Sequence, residues 1–287
     1  MSTYPGSVRI DLHTHSTASD GTDPPGQVVR DAAAAGLDVV ALTDHDTTRG
    51  WAEAVEAARE VGIALVCGAE ISCSADGVSV HLLSYLHDPE HAAILAETEA
   101  ARHARQRRAR RIVERISRDY AVSWEDVLAQ LGPEATVGRP HIADALVARG
   151  HVTDRSSAFR HLLSSHGPYY EPYAAPDAVT MVRAVRAAGG VPVLAHPRAA
   201  SRGAVVPTLV IEEMADAGLG GLEVDHRDHG EAVRRRLRDL AAELGLLVTG
   251  SSDYHGTGKP NRLGENLTAP EVLEAIEAQG ELPVVRG

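Results

Sequence analysis

One alternation recurs along the chain. A helically patterned, Ala-rich segment ends in Gly, and a short apolar run follows. It appears as residues 32–35, Gly36, then Val39-Val40-Ala41-Leu42, and as residues 52–61, Gly62, then residues 63–66. It returns as residues 182–188, Gly189-Gly190, then residues 191–194. Two more copies run 212–217, Gly218, Gly221-Leu222-Glu223 and 234–244, Gly245, Leu246-Leu247-Val248. Gly suits the left-handed position just past a helix end, and short apolar runs bounded by Gly read as buried parallel strands. Helix alternating with strand predicts an α/β protein whose parallel sheet closes barrel-like. The rhythm stops between about residues 90 and 177. There, one long helical pattern (89–118) precedes shorter ones over 123–131, 140–149 and 156–164. The expectation is a barrel of residues 8–89 and 178–287, with an all-helical insertion, 90–177, capping the strand ends.

The polar residues follow the same rhythm. The first strand leads into Asp11-Leu12-His13-Thr14-His15-Ser16, and strand alternation puts Asp11, His13 and His15 on one face. Asp20-Gly21 follows in the next loop. Later strands run into Asp44-His45-Asp46, Glu70, His196-Pro197-Arg198 and Ser251-Ser252-Asp253-Tyr254-His255. His81 lies inside an apolar run ending at Tyr85, and Glu223 sits within its strand ahead of Asp225 and His226. Any single one reads as a solvated loop residue. Collected at one end of so many strands, they read as a site.

Composition narrows the chemistry. A 287-residue chain with 44% hydrophobic residues suits one large domain, or a smaller one carrying an insertion. Net charge is −12, from 28 basic and 40 acidic residues, which argues against duplex DNA as a partner. Phosphates must then be met by local positive charge or bound metal. Fifteen His is a high count. Cys67 and Cys73 lack a zinc-knuckle spacing and read as reduced thiols of a cytoplasmic protein. Residues 1–7 carry no apolar leader, and no apolar run approaches 18 residues, so neither a signal peptide nor a membrane span is expected.

His13, His15, Asp20, His45, Glu70, His81, His196, Asp253 and His255 are too many ligands for one ion. They suit two or three divalent ions, Mn, Fe or Zn, with a carboxylate such as Glu70 bridging. Such clusters clamp a phosphoryl group and generate a metal-bridging hydroxide for in-line attack. No nucleophile elbow and no Gly-rich phosphate loop competes.

Gly138-Arg139-Pro140-His141 adds a helix start, with Pro140 as its first residue and Arg139 as a bidentate anion donor; otherwise it is an ordinary helix start with an exposed Arg. The arginines of 102–118 read either as a solvated face balanced by Glu97, Glu99 and Glu114 or as a positive lip for substrate. Lys259, in a Gly-rich loop, reads either as a surface residue or as a group that approaches substrate.

Asp11–Ser16, Leu42-Thr43-Asp44-His45-Asp46, Ala195-His196-Pro197 and Ser252-Asp253-Tyr254-His255 together resemble the four motifs of the polymerase-and-histidinol-phosphatase (PHP) superfamily. The resemblance implies a distorted (β/α)7 TIM-like barrel with a trinuclear metal site. His13, His15, Glu70 and Asp253 would hold one ion, Glu70, His81 and His196 the second, and Asp20, His45 and His255 the third. Asp11 and Asp44 would lie behind, orienting metal-bound His.

More narrowly, the chain resembles stand-alone members whose helical insertion carries Gly-Arg-Pro-His. These include phosphatases of nucleoside 3′,5′-bisphosphates and enzymes that trim short RNA from its 5′ end. That resemblance implies phosphate contacts from Arg139 and Arg198, with His141 and His226. Arg198 would stabilise developing charge, and His226 or a metal-bound water would protonate the leaving alkoxide. The expected substrate is a nucleotide, such as a bisphosphate or AMP, or short 5′-phosphorylated RNA. Alternatives are a histidinol-phosphate phosphatase, an amidohydrolase-type metallohydrolase and a non-catalytic metal-binding module. The insertion counts against the first, and Glu70 at the bridging place with scarce Lys against the second.

Overall fold

The computed structural model describes residues 8–132, 135–172, 175–200 and 203–287. The expectation about residues 1–7 lies outside them. The chain runs β1 (Ile10–Asp11), α1 (Pro25–Ala34), β2 (Val39–Leu42), α2 (Trp51–Val61), β3 (Ala64–Ala75) and β4 (Val78–Tyr85). Helices α3 (Ala92–Ile116), α4 (Trp124–Leu128), α5 (Arg139–Ala148) and α6 (Arg155–Ala158) follow, with a π turn over Phe159–Leu163. Then come α7 (Ala178–Ala187), β5 (Val191–Leu194), α8 (Thr208–Asp216), β6 (Gly221–Asp225), α9 (Glu231–Leu244), β7 (Leu247–Gly250) and α10 (Pro270–Glu277). No helix among the described residues is long and apolar enough to cross a membrane.

The seven strands pair in chain order, β1 to β7. A bridge between Thr14 and Tyr254, with His15 N donating to Tyr254 O at 2.8 Å, joins the two edges into a distorted TIM-like barrel. Helix ends obey the glycine rule: Gly62 after α2 and Gly245 after α9 both take the left-handed conformation. Strand alternation divides the apolar residues. Val39 and Ala41 join Ile10, Leu12, Val66, Leu83 and Val193 in one cluster, while Val40 and Leu42 pack with Val29, Ala54 and Ala58 of α1 and α2. The helices between β4 and α7 bury a cluster of their own, which includes Ile112, Ile116, Val127, Ile142, Leu146 and Leu163.

The all-parallel expectation fails at β4. β3 and β4 form an antiparallel hairpin, and β4 also pairs antiparallel with β5. The hairpin turns on Asp76 and Gly77, at φ 49° and 74°. A two-residue turn with both residues left-handed favours tight hairpins, whereas a parallel return needs a crossover of a dozen residues or more. His81 therefore sits in mid-strand, paired with Ser72, and reaches Glu70 across the ladder.

Candidate metal centre

Glu70, at 1% exposure, is the hub of the barrel mouth. Its Oε2 lies 3.3 Å from His13 Nε2, 3.1 Å from His15 Nε2 and 3.1 Å from His45 Nδ1. Its Oε1 lies 2.7 Å from His81 Nδ1 and 3.2 Å from His196 Nε2. Asp253 Oδ1 stands 3.6 and 3.5 Å from the Nε2 atoms of His13 and His15. On the far side His255 Nε2 faces Asp20 Oδ1 at 3.2 Å, and His45 Nε2 faces Asp20 Oδ2 at 3.7 Å. His196 and Asp253 hold left-handed backbone, φ 31° and 54°, which is costly for a residue with a Cβ.

These residues fit divalent ions. Ligand atoms about 2.1 Å from a tetrahedral ion lie about 3.4 Å from one another. His13 Nε2 and His15 Nε2 lie 3.0 Å apart, each 3.1–3.3 Å from Glu70 Oε2 and 3.5–3.6 Å from Asp253 Oδ1. Asp20 Oδ1, His45 Nδ1 and His255 Nε2 are buried without a hydrogen-bond partner among the described residues, as ligand atoms awaiting a cation would be. Convergent atoms group as His15, Asp20, His45 and His255; as His13, His15 and Glu70; and as His45, Glu70 and His81. His15 and His45 thus each face two groups rather than one.

Burial opposes charge here, and pairing overrides it at His13, His15 and Glu70. Burial would lower His13, yet Glu70, Glu223 and Asp253 lift it well above the ordinary imidazole value. His15, likewise buried, is raised to about 9 through Asp253 and Glu70. Glu70, which burial would raise, is held well below the usual carboxylate range by His81, His45 and His13. Burial and the Arg105 charge keep His45 well below its ordinary value, and burial with Lys259 puts His255 at about 4. His45 and His255 are thus neutral imidazoles beside ionised carboxylates, the form that binds a cation, whereas His13 and His15 would release a proton on binding one.

Two rings are set by their outer nitrogens. His255 Nδ1 donates to Asp253 O at 2.8 Å, turning Nε2 toward Asp20. His13 Nδ1 donates to Glu223 Oε1 at 2.8 Å, which turns Nε2 to the hub. Glu223 also accepts from His196 N at 2.7 Å and from Ser251 Oγ. It is fully buried. Its sequence signal was a carboxylate inside the apolar strand Gly221–Asp225, since a buried charge demands partners.

Other expected residues take different posts. Asp11 anchors main chain: it accepts from Ser252 N at 3.0 Å and Gly264 N at 2.8 Å, and burial raises it to about 6. Asp44 accepts from Ser16 N, Ser16 Oγ and Ser19 Oγ at 2.6–2.8 Å, holding the loop that carries Asp20. His141 is buried, its Nδ1 accepting from Gly138 N at 3.0 Å to cap its own helix. Arg198 turns its guanidinium to Val206 O and Thr208 Oγ1. His226 is fully buried. Its Nδ1 accepts from Asp228 N, which leaves the Nε2 proton facing Asp253 Oδ2 at 3.6 Å.

Above the hub lies a cavity of about 630 Å³. Asp20, His45, Glu70, His81, His196 and Asp253 line its floor. Arg105, Arg108, Arg139, Arg155 and Arg160 form the helical wall, and Arg227 and Lys259 also line the cavity. Arg105 ties α3 to the barrel through Asp46 at 2.7 Å and Ser72 Oγ at 2.8 Å. Arg155 pairs with Asp144 through two bonds of 2.5 Å and donates to Asp20 O at 3.0 Å. Burial and the nearby Arg108 and Arg105 charges push Arg139 down to about 9. Like charges crowded in this way are relieved by an anion.

The family model for the PHP domain matches residues 11–126. The chain is 34% identical to a 5′-3′ exoribonuclease of Haemophilus influenzae, over 90% of this chain and 94% of that protein. It belongs to the PHP family. A second PHP relative, a 3′,5′-nucleoside bisphosphate phosphatase of Chromobacterium violaceum, is 32% identical over 97% of this chain and 99% of that one. A solved structure from Bifidobacterium adolescentis, named a metal-dependent phosphoesterase, superposes with a TM-score of 0.93 at 45% identity, covering 96% and 98% of the two chains. The PHP chain described here is accordingly a metal-dependent phosphoric ester hydrolase.

Proposed function

We propose that this PHP chain hydrolyses a phosphomonoester of a nucleotide, such as a nucleoside 3′,5′-bisphosphate or AMP, or of short 5′-phosphorylated RNA. One observation carries the reading: a nucleotide-sized cavity, about 630 Å³, with a His and carboxylate floor and arginine walls. The floor suits the phosphoryl group that is cut. The arginines suit a second anionic group, which a bisphosphate or an RNA 5′ end supplies. The names of the Haemophilus and Chromobacterium relatives support the same substrates.

In this reading His13, His15, Glu70 and Asp253 hold one ion; Glu70, His81 and His196 a second; and Asp20, His45 and His255 a third. Bound Mn, Fe or Zn would supply an activated water and neutralise phosphoryl charge. The chain's own part is orientation. Glu223 fixes the His13 ring, Asp44 the Asp20 loop, and Arg139 presents its guanidinium to the second phosphate. Residues 90–177 act as the cap of a barrel made by 8–89 and 178–287. Free, buried Cys67 and Cys73 support a cytoplasmic setting.

The test is phosphate release with Mn²⁺ from adenosine 3′,5′-bisphosphate, AMP and histidinol phosphate, with an Asp253→Ala, His255→Ala double variant as control. The bisphosphate is expected to lead AMP by about tenfold or more in kcat/KM, the worth of one charge-assisted contact. Preference for histidinol phosphate would refute the nucleotide reading.

A further inference from the structure

As a phosphoester breaks, negative charge gathers on the departing oxygen, and a donor on the cavity side must meet it. The two residues that the sequence suggests for this face elsewhere: Arg198 is turned to Val206 and Thr208, and His226 is buried behind Asp253. A third group stands at the same carboxylate. Lys259 Nζ lies 3.0 Å from Asp253 Oδ2. Asp253 thus divides its oxygens, Oδ1 toward His13 and His15, Oδ2 toward Lys259 and His226.

Lys259 lines the cavity with its side chain 31% exposed. Asp253 is its one hydrogen-bond partner among the described residues. An ammonium carries three donors, so two remain for a ligand.

Lys259 is also the sole lysine among 287 residues, in a chain that otherwise uses arginine for every cation. Arginine offers a rigid planar fork, lysine a compact charge with rotatable donors. The chain keeps the second kind at one place only, against a floor carboxylate.

The loop that presents it is built for the purpose. A Cβ on Gly256, at φ 63°, would collide with Thr22 Oγ1, and one on Gly258 would collide with Arg155 Nη1. Thr257 N donates to Thr22 Oγ1 at 2.9 Å, and buried Asn261 donates to Ser252 O at 2.7 Å. Residue 259 is therefore pinned from both sides.

We propose that Lys259 is a catalytic residue that donates a hydrogen bond to the oxygen leaving phosphorus; this rests on the phosphomonoester reading above. Water oxygen bonds to phosphorus, the P–O ester bond breaks, and its electron pair stays on the departing oxygen. Lys259 holds that oxygen throughout and keeps its own proton. The attacking water supplies, in net, the proton that completes the alcohol, so ester plus water gives alcohol plus phosphate.

The experiment compares wild type, Lys259→Met and Lys259→Arg, all Mn²⁺-loaded, on p-nitrophenyl phosphate, phenyl phosphate and AMP, with metal content measured on each protein. Lys259→Met is expected to lose about 100-fold in kcat on AMP and phenyl phosphate but less than about tenfold on p-nitrophenyl phosphate, whose leaving oxygen needs little help. Lys259→Arg should recover part of the loss. Equal losses across the series, or a loss that tracks missing metal, would overturn the role.

Should the variants fail to fold, wild type still decides. Inorganic phosphate plus Mn²⁺ should shield Lys259, read by mass spectrometry on its own peptide, from acetylation, and an unshielded lysine refutes the proposal. Wild-type turnover of bis(p-nitrophenyl) phosphate but of no monoester would sink the monoester reading instead. The same leaving-group series on diesters would then test Lys259.

Discussion

The floor and the helical wall of the cavity hold their charged groups differently. On the floor, Asp20, His45, Glu70, His196 and Asp253 are each at most 9% exposed, and each leans on another ionisable side chain. On the wall, Arg108 and Arg139 are half-buried and lean on main-chain oxygens and aromatic rings, among them Glu171 O and Tyr170 for one, Leu163 O and Phe159 for the other. A floor of mutually dependent groups cannot lose one member without stranding several. A wall of separately anchored arginines can lose one and keep the rest. Chemistry belongs to the first arrangement, and affinity to the second.

Glu70→Gln should break the floor most completely, because it faces five imidazoles. We expect loss of bound metal and a fall in kcat/KM of about 1000-fold or more. Full metal content with near-normal turnover would remove Glu70 from the hub. Glu223→Gln probes the layer behind. Metal affinity, by calorimetry, should fall about 10- to 100-fold, while excess Mn²⁺ restores much of the rate. A rate that excess metal cannot restore would give Glu223 a different task. Arg139→Met has the smallest expected effect. KM for the bisphosphate should rise about tenfold with kcat nearly unchanged. A fall in kcat of similar size would erase the division between floor and wall.

Much of the floor was legible because its signals are local. His13 and His15 share a strand face by alternation alone, and Glu70, His196 and Asp253 follow apolar runs that could only be buried strands. Glu223 was visible as a carboxylate among apolar neighbours, but its partners, His13 and His196, lie 210 and 27 residues away. The Arg-rich helix was ambiguous because its arginines occupy every face. Only packing shows that Arg105 and Arg108 turn to the cavity while Arg110 lies over Trp124.

The alternation of helix and strand, the glycine stops and the gathering of ligands at strand ends each depend on residues within a few positions, so the order of amino acids is enough to set them. Tertiary structure alone decided where long side chains on loops point. Arg198 stands beside its motif yet turns to Thr208, His226 lies fully buried against Asp253, and Lys259 reaches Asp253 from its Gly-rich loop. A side chain leaving a loop takes its direction from whatever packs around it, and that surrounding comes from segments distant in the chain. The reversal of β4 had a local cause, the Asp76-Gly77 turn, but its consequence for His81 follows only from the ladder that the turn creates.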